Sequence, residues 1–174
     1  MKIQEITKMA ICIAIICVAS YIAFPLPFTP IGITGQTIAI NLIGLILTPK
    51  QSFIVVLGYL LLGCFGLPVF AGGSSGIGAL IGPAGGFLFG FLAVAPLISY
   101  FKGKEIKFSR YLLVTTFIGM IVLYIFGAVY MSIIQKISIV SAITLAILPF
   151  IVGDFLKCLL ASYIGVRLNK IIYY

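Results

Sequence analysis

Apolar residues fall into six long runs, roughly 9–24, 35–48, 51–67, 84–101, 111–134 and 147–168, with polar residues crowded into the gaps. A helix needs about 20 apolar residues to cross the hydrocarbon core of a membrane, or as few as about 17. Most of the runs fit that length; the second is short. Its flanks, "FPLPFTPIGITGQT" before and "TPKQS" after, are rich in Pro and Gly and bound the helix at both ends. Either this helix begins below the membrane surface, or the preceding loop dips inward to meet it. Non-helical backbone at that depth is tolerated only where it is buried in protein or lines a cavity. The pattern therefore predicts a pocket on one side of the bundle.

Composition sharpens the class. The chain is 63% hydrophobic and 8% charged, against about 25% charged in an ordinary soluble domain. It cannot clothe a water-facing surface and is expected to be an all-α integral membrane protein. No Ser-, Pro- or acid-rich linker interrupts the runs, so residues 1–174 are expected to form a single six-helix membrane domain. The stretch "VAS" at 18–20 loosely resembles a signal-peptidase site, but the apolar run continues through Phe24, so the first segment is expected to be retained.

Charge then orients the helices. With both termini in the cytoplasm, Lys2, Lys8, Lys50, Lys102, Lys104, Lys107, Arg110, Arg167 and Lys170 fall on the inner side. Lys136 alone falls in an outer loop, and Lys157 lies within the last helix. This is the positive-inside distribution, so the net charge of +8 does not call for a nucleic-acid partner. A one-helix shift would put "KGKEIK" outside, against that rule. A multi-pass protein of the cell membrane is expected.

The same assignment places the elaborate loops outside. The first is "PLPFTPIGITGQ" and the second "LPVFAGGSSGIGALIGPAGG"; both are uncharged and full of Gly and Pro. Apolar residues in the second, among them Val69, Phe70 and Leu80, suggest a loop folded back onto the helices. The third, about 135–146, is expected to include a short interfacial helix. Inner turns are short and basic, so the working face is expected to look outward.

Three acidic residues exist in the chain, and Asp154 is the one inside an apolar run, three residues from Lys157 in "LPFIVGDFLK". Positions i and i+3 share a helix face, and ionisable groups in a membrane usually face the bundle interior. Two readings follow: a self-neutralising staple between helices, or polar contacts in a ligand cavity. An apolar pair would staple without the desolvation cost, which favours the ligand. Gln36, beside the dipping loop, is a candidate contact; Asn41, a turn deeper, reads equally as a helix–helix contact. Glycines in the second loop allow backbone to approach a ligand closely. Gly82, Gly86 and Gly90 form a small-residue face for helix packing, and Ala10 and Ala14 a similar pair on helix one. The four Cys lie in apolar runs without paired spacing and read as small hydrophobes. With no His, no CxxC and no nucleotide motif, no metal, cofactor or catalytic residue is expected. What remains is a small outward-facing membrane receptor needing a partner for any energised step.

Together "FPLPFTPIGITGQT", "LLLGCFGLPVFAGG", "GPAGGFLFGF" and "LPFIVGDFLK" resemble the BioY family, the biotin-binding S components of energy-coupling factor (ECF) vitamin transporters. The resemblance covers roughly residues 9–168, in order. It implies a six-helix S-component fold that holds biotin near the outer surface beneath the first two outer loops. It also implies partnership with a transmembrane coupling protein and two cytosolic ATPase subunits. Asp154 and Lys157 match the family's biotin-contacting aspartate and lysine, while Gly72, Gly73 and Ser74 of "FAGGSSG" match its pocket-lining loop. Phe70 would pack on the ring and Gln36 would add a polar contact. Ala10 and Ala14 match the AxxxA element through which S components dock. Lys157 would donate to the ureido oxygen or to the carboxylate of biotin; sequence leaves both open. Three alternatives stand beside this: a small membrane enzyme with Asp154 as acid/base, an S component for a different vitamin, and an assembly subunit in which the charge pair is only a staple.

Overall fold

The computed structural model describes residues 3–173, so Lys2, one of the expected inner cations, lies outside them. The first helix, α1 (Ile3–Tyr21), begins in the polar stretch ahead of the apolar run and stops before its end. Apolar length marks what lipid can cover, not where hydrogen bonding begins, and nothing in "IQEITK" breaks a helix. Residues 22–34, expected to be irregular, instead form a hairpin of β1 (Ala23–Leu26) and β2 (Thr29–Thr34). Ala23 pairs with Thr34 and Phe24 with Ile33, and the register slips between Phe24 and Leu26. Pro25 and Pro30 lack an N–H and obscure the strand signal, but a two-stranded sheet has only edges, where proline is tolerated.

Next come α2 (Gln36–Ile46) and α3 (Pro49–Cys64). The turn between them is written in the sequence: Thr48 caps α3, its hydroxyl accepting from the Gln51 N–H while the Gln51 side chain accepts from the Thr48 N–H, with Pro49 in the first turn. The C-terminal carbonyls of α2 are met from other helices. Lys102 Nζ donates to the Leu45 and Leu47 oxygens at 2.7 Å each, Ser99 Oγ to Leu47 O, and Asn169 Nδ2 to Leu45 O at 2.9 Å. A cation there also opposes the negative end of the helix dipole. Burial, with Lys8 nearby, nevertheless pushes the Lys102 ammonium down to about 8.

The second loop folds back as expected. It carries a 3₁₀ turn (Ala71–Gly73) and α4 (Ile77–Ile81) before α5 (Gly85–Phe101). Two side chains from neighbouring helices hold it: Tyr21 Oη donates to Pro68 O at 2.6 Å, and Tyr130 Oη to Leu80 O at 2.8 Å. Of the small face Gly82, Gly86 and Gly90, the last two lie in α5 and let α7 approach, whereas Gly82 precedes the helix.

A 28-residue rod, Phe108–Gln135, then runs through α6 (Phe108–Leu113), a π-helical stretch (Val114–Met120) and α7 (Ile121–Gln135). The short helix expected in the third loop is α8 (Ile139–Ala146), capped by Ser138, whose hydroxyl accepts from the Ser141 N–H. It meets α9 (Ile151–Tyr173) at a bend of 53°.

By length and apolar character α1 and the rod can each cross a membrane, and α8 with α9 makes a third candidate if the bent pair is one span. The shorter α2, α3 and α5 are also apolar. Ile11, Val18, Phe117, Ile125, Val152 and Leu156 stand exposed on the flanks of the bundle, a surface suited to lipid rather than water. One buried core joins α1, α2, α3, α5 and the rod. A second, around Ile31, Tyr124, Met131 and Phe150, ties the hairpin to α7, α8 and the start of α9. Thr29 Oγ1 fastens that junction, donating to Leu145 O at 3.0 Å. Hairpin, second loop and α8 thus gather at the end where α2 begins, and Lys102 lies at the end where α2 stops.

Candidate functional site

The hairpin, the second loop and the first turns of α2, α5, α7 and α9 enclose a cavity of about 640 Å³, its mouth included. Most of its wall is apolar, with rings from Phe70, Phe87, Phe91 and Phe150. Small-molecule sites have this character: a hydrophobic recess with a few placed polar groups. Of the described residues lining it, only Asp154 and Lys157 are charged.

Both come from the first turns of α9. Lys157 Nζ donates to Asp154 Oδ1 at 2.8 Å, and the two side chains are only 12% and 9% exposed. The other carboxylate oxygen, Oδ2, accepts from Tyr124 Oη of α7 at 2.9 Å. The sequence did not single out Tyr124. Its signal was a phenol inside "IVLYIFG", since a hydroxyl in that setting needs a partner. One proton of the Lys157 ammonium is committed to Asp154, and each carboxylate oxygen retains a second acceptor site. The pair therefore keeps two ammonium N–H donors and two carboxylate acceptor sites side by side, with no net charge.

Gln36, the first residue of α2, also lines the cavity. It is buried, and its Nε2 donates to Tyr59 Oη of α3, which leaves its carbonyl oxygen and its second amide N–H to offer. Phe70 is 1% exposed and stands edge-on to the Tyr59 ring at 5.5 Å. It fills the space above Gly63, where a Cβ would collide with it. Ser74 reaches the cavity wall and donates to Ala71 O at 2.9 Å.

The structure separates the remaining loop glycines. Gly72 (φ 65°) lines a neighbouring groove rather than the cavity. Gly73 (φ 78°) turns toward the Tyr21 ring, 3.3 Å from where its Cβ would sit, and lines neither. Its role is to turn the chain where a side chain would be strained. Ala10 and Ala14 are exposed on α1, remote from the cavity, since α1 packs inward through Met9, Cys12, Ile16 and Ser20. Asn41 is a helix–helix contact, with Nδ2 3.5 Å from Cys158 Sγ on α9. It borders a smaller chamber beneath Asp154.

The cavity sets this charge pair in an otherwise largely apolar recess. It suits a small molecule with an apolar body and both N–H and C=O groups.

Comparison with known proteins is consistent with that reading. The BioY family model matches residues 1–173. The chain is 34% identical to biotin transporter BioY2 of Lactococcus lactis subsp. cremoris, over 97% of this chain and 92% of that one. It is 33% identical to biotin transporter BioY of Thermotoga maritima, over 97% of each. Among solved structures it resembles the S-component for biotin from an ECF-type ABC transporter, with a TM-score of 0.90 and 29% identity over 97% of this chain and 92% of that one.

Proposed function

The chain belongs to the BioY family, and on that premise we propose that it captures biotin in the cavity beside Asp154 and Lys157. It acts as the membrane-embedded S component of an ECF-type transporter and is not an enzyme. The observation that carries the reading is the neutral Asp154–Lys157 pair set in an apolar recess. Biotin carries two ureido N–H donors, a ureido carbonyl and an apolar sulfur-containing ring, and the recess supplies the complement of each. Asp154 accepts an N–H, Lys157 donates to the carbonyl, and Phe70, Phe87 and Phe91 cover the ring. Gln36 and Ser74 add neutral polar contacts at the rim.

In this proposal six helices cross the cell membrane with both termini in the cytoplasm, and the cavity opens outward. A transmembrane coupling protein and two cytosolic ATPase subunits energise uptake. The exposed Ala10–Ala14 face of α1 lets a partner helix approach closely. No cofactor takes part; biotin is cargo.

Equilibrium binding of tritiated biotin to purified protein in detergent tests this, with stoichiometric capture and no product expected. Asp154→Asn and Lys157→Ala should each weaken binding by at least about tenfold, because a hydrogen bond to a charged group contributes about 1.5–3 kcal/mol. Wild-type affinity in both variants, with the proteins folded, would remove the pair from the site.

A further inference from the structure

Among the described residues, the only charges lining the cavity are already paired with each other, and the way out of it carries none. Above the cavity lies a wider groove of about 1210 Å³, open to solvent, between the hairpin and the second loop. Cavity and groove share Gly32, Thr34, Ala71, Ser74, Ala79 and Ala84 in their walls, so one leads into the other. Asp154, by contrast, is shared with the chamber beneath. The charge pair therefore marks the inner end and the groove the outer end of one continuous space. No described residue lining the groove is charged.

This inventory decides how biotin lies, given the function proposed above. A valerate carboxylate pushed to the inner end would meet Asp154, a like charge. Its gain from Lys157 would be offset, because that ammonium is already held 2.8 Å from Asp154 Oδ1. It would also lose its hydration in an apolar recess, at a cost of several kcal/mol for an ion that gains no partner. The ureido ring is neutral and matches the pair donor for acceptor. The ring therefore goes inward and the tail runs out along the groove, where water rather than a protein cation solvates it.

We propose that this protein reads the biotin ring and not the tail charge, so that its ligands include biotin derivatised at the carboxyl group. Simple amides and biocytin, in which the carboxyl is joined to the lysine ε-amine, are the class intended, with the substituent held in the neutral groove. There is space for it. A Cβ at Gly78 meets nothing within 4 Å, and one at Gly72 meets only Ala23 Cβ, at 3.9 Å.

The test is competition against tritiated biotin by biotinamide and by biocytin on the purified protein. Both are expected to compete within thirtyfold of unlabelled biotin; a larger loss for the uncharged amide means that the tail charge is read, and overturns the inference. Gly78→Trp and Ser75→Trp place bulk in the groove. Each should weaken biocytin at least tenfold more than it weakens biotin, and biocytin binding unchanged in both would take the tail out of the groove. If biotin itself does not bind the wild-type protein, the proposed function falls and this inference with it. If biotin binds and biotinamide does not compete, only this inference falls.

Discussion

Asp154 is held from two helices at once: Lys157 of its own helix takes one carboxylate oxygen and Tyr124 of α7 the other. Two donors fix the plane of the carboxylate, which decides where a third donor from a ligand can approach. Tyr124→Phe keeps the ring and removes only that constraint. It should weaken biotin binding by about three- to thirtyfold, a part of the about 1.5–3 kcal/mol that a hydrogen bond to a charged group contributes, since Tyr124 acts on the ligand only through Asp154. Binding isotherms beside thermal unfolding separate this from a folding defect, and unaltered affinity would mean that Lys157 alone sets the carboxylate. The charge pair could be read in advance because charge is rare in this chain and an i,i+3 spacing needs only one helix. Tyr124 could not, because its partner lies 30 residues away and a tyrosine in an apolar run reads as core. Gln36 was visible as an amide at a helix start; that Tyr59 engages its nitrogen depends on how α2 packs against α3.

At the scale of elements, the second loop belongs to the core as much as any helix. Phe70 sits in a socket formed by Gly63 and Tyr59, and the Gly76 N–H donates to Gly63 O at 2.7 Å, so α3 holds the loop at two points. A side chain at position 63 would occupy the Phe70 ring's place. Gly63→Leu should therefore unseat the loop and weaken biotin at least tenfold while far-ultraviolet circular dichroism stays near wild type. Normal affinity in that variant would show that the site does not need the loop seated. Sequence made the fold-back of this loop legible through its apolar residues. It concealed the preceding hairpin, because Pro25 and Pro30 read as breakers and the strands pair only with each other. The division of labour among Gly72, Gly73 and Ser74 was equally hidden: adjacent residues in a turn face different ways, and no periodicity reports which.

Over the whole molecule, the length of α2 decides where the cavity can be. Its 11 residues cover about 16 Å at 1.5 Å per residue, about half of a hydrocarbon core of about 30 Å. The hairpin and second loop cover the first turn of α2, and the recess lies between them and the helix start. The six apolar runs and the basic inner turns were legible because lipid and the positive-inside bias impose them on any membrane chain. Reading them as six crossings with inward termini can be tested with single cysteines in a cysteine-free background. Lys136→Cys should react with an impermeant maleimide in intact cells, and Lys104→Cys only after permeabilisation. The reverse pattern would invert the molecule and turn the cavity toward the cytoplasm.

The π-helical stretch at Val114–Met120 has a consequence for all of this. An α-helix advances about 100° per residue, so one surplus residue wound into a turn rotates everything beyond it by that angle. Below the stretch, Tyr111 faces Asn169; above it, Tyr124 faces Asp154. Two tyrosines on one rod thus address the same partner helix from either side of a wide turn that shifts the phase between them. Were the rod regular throughout, the upper hydroxyl would swing out of reach of the carboxylate, and the acidic group would keep a single donor.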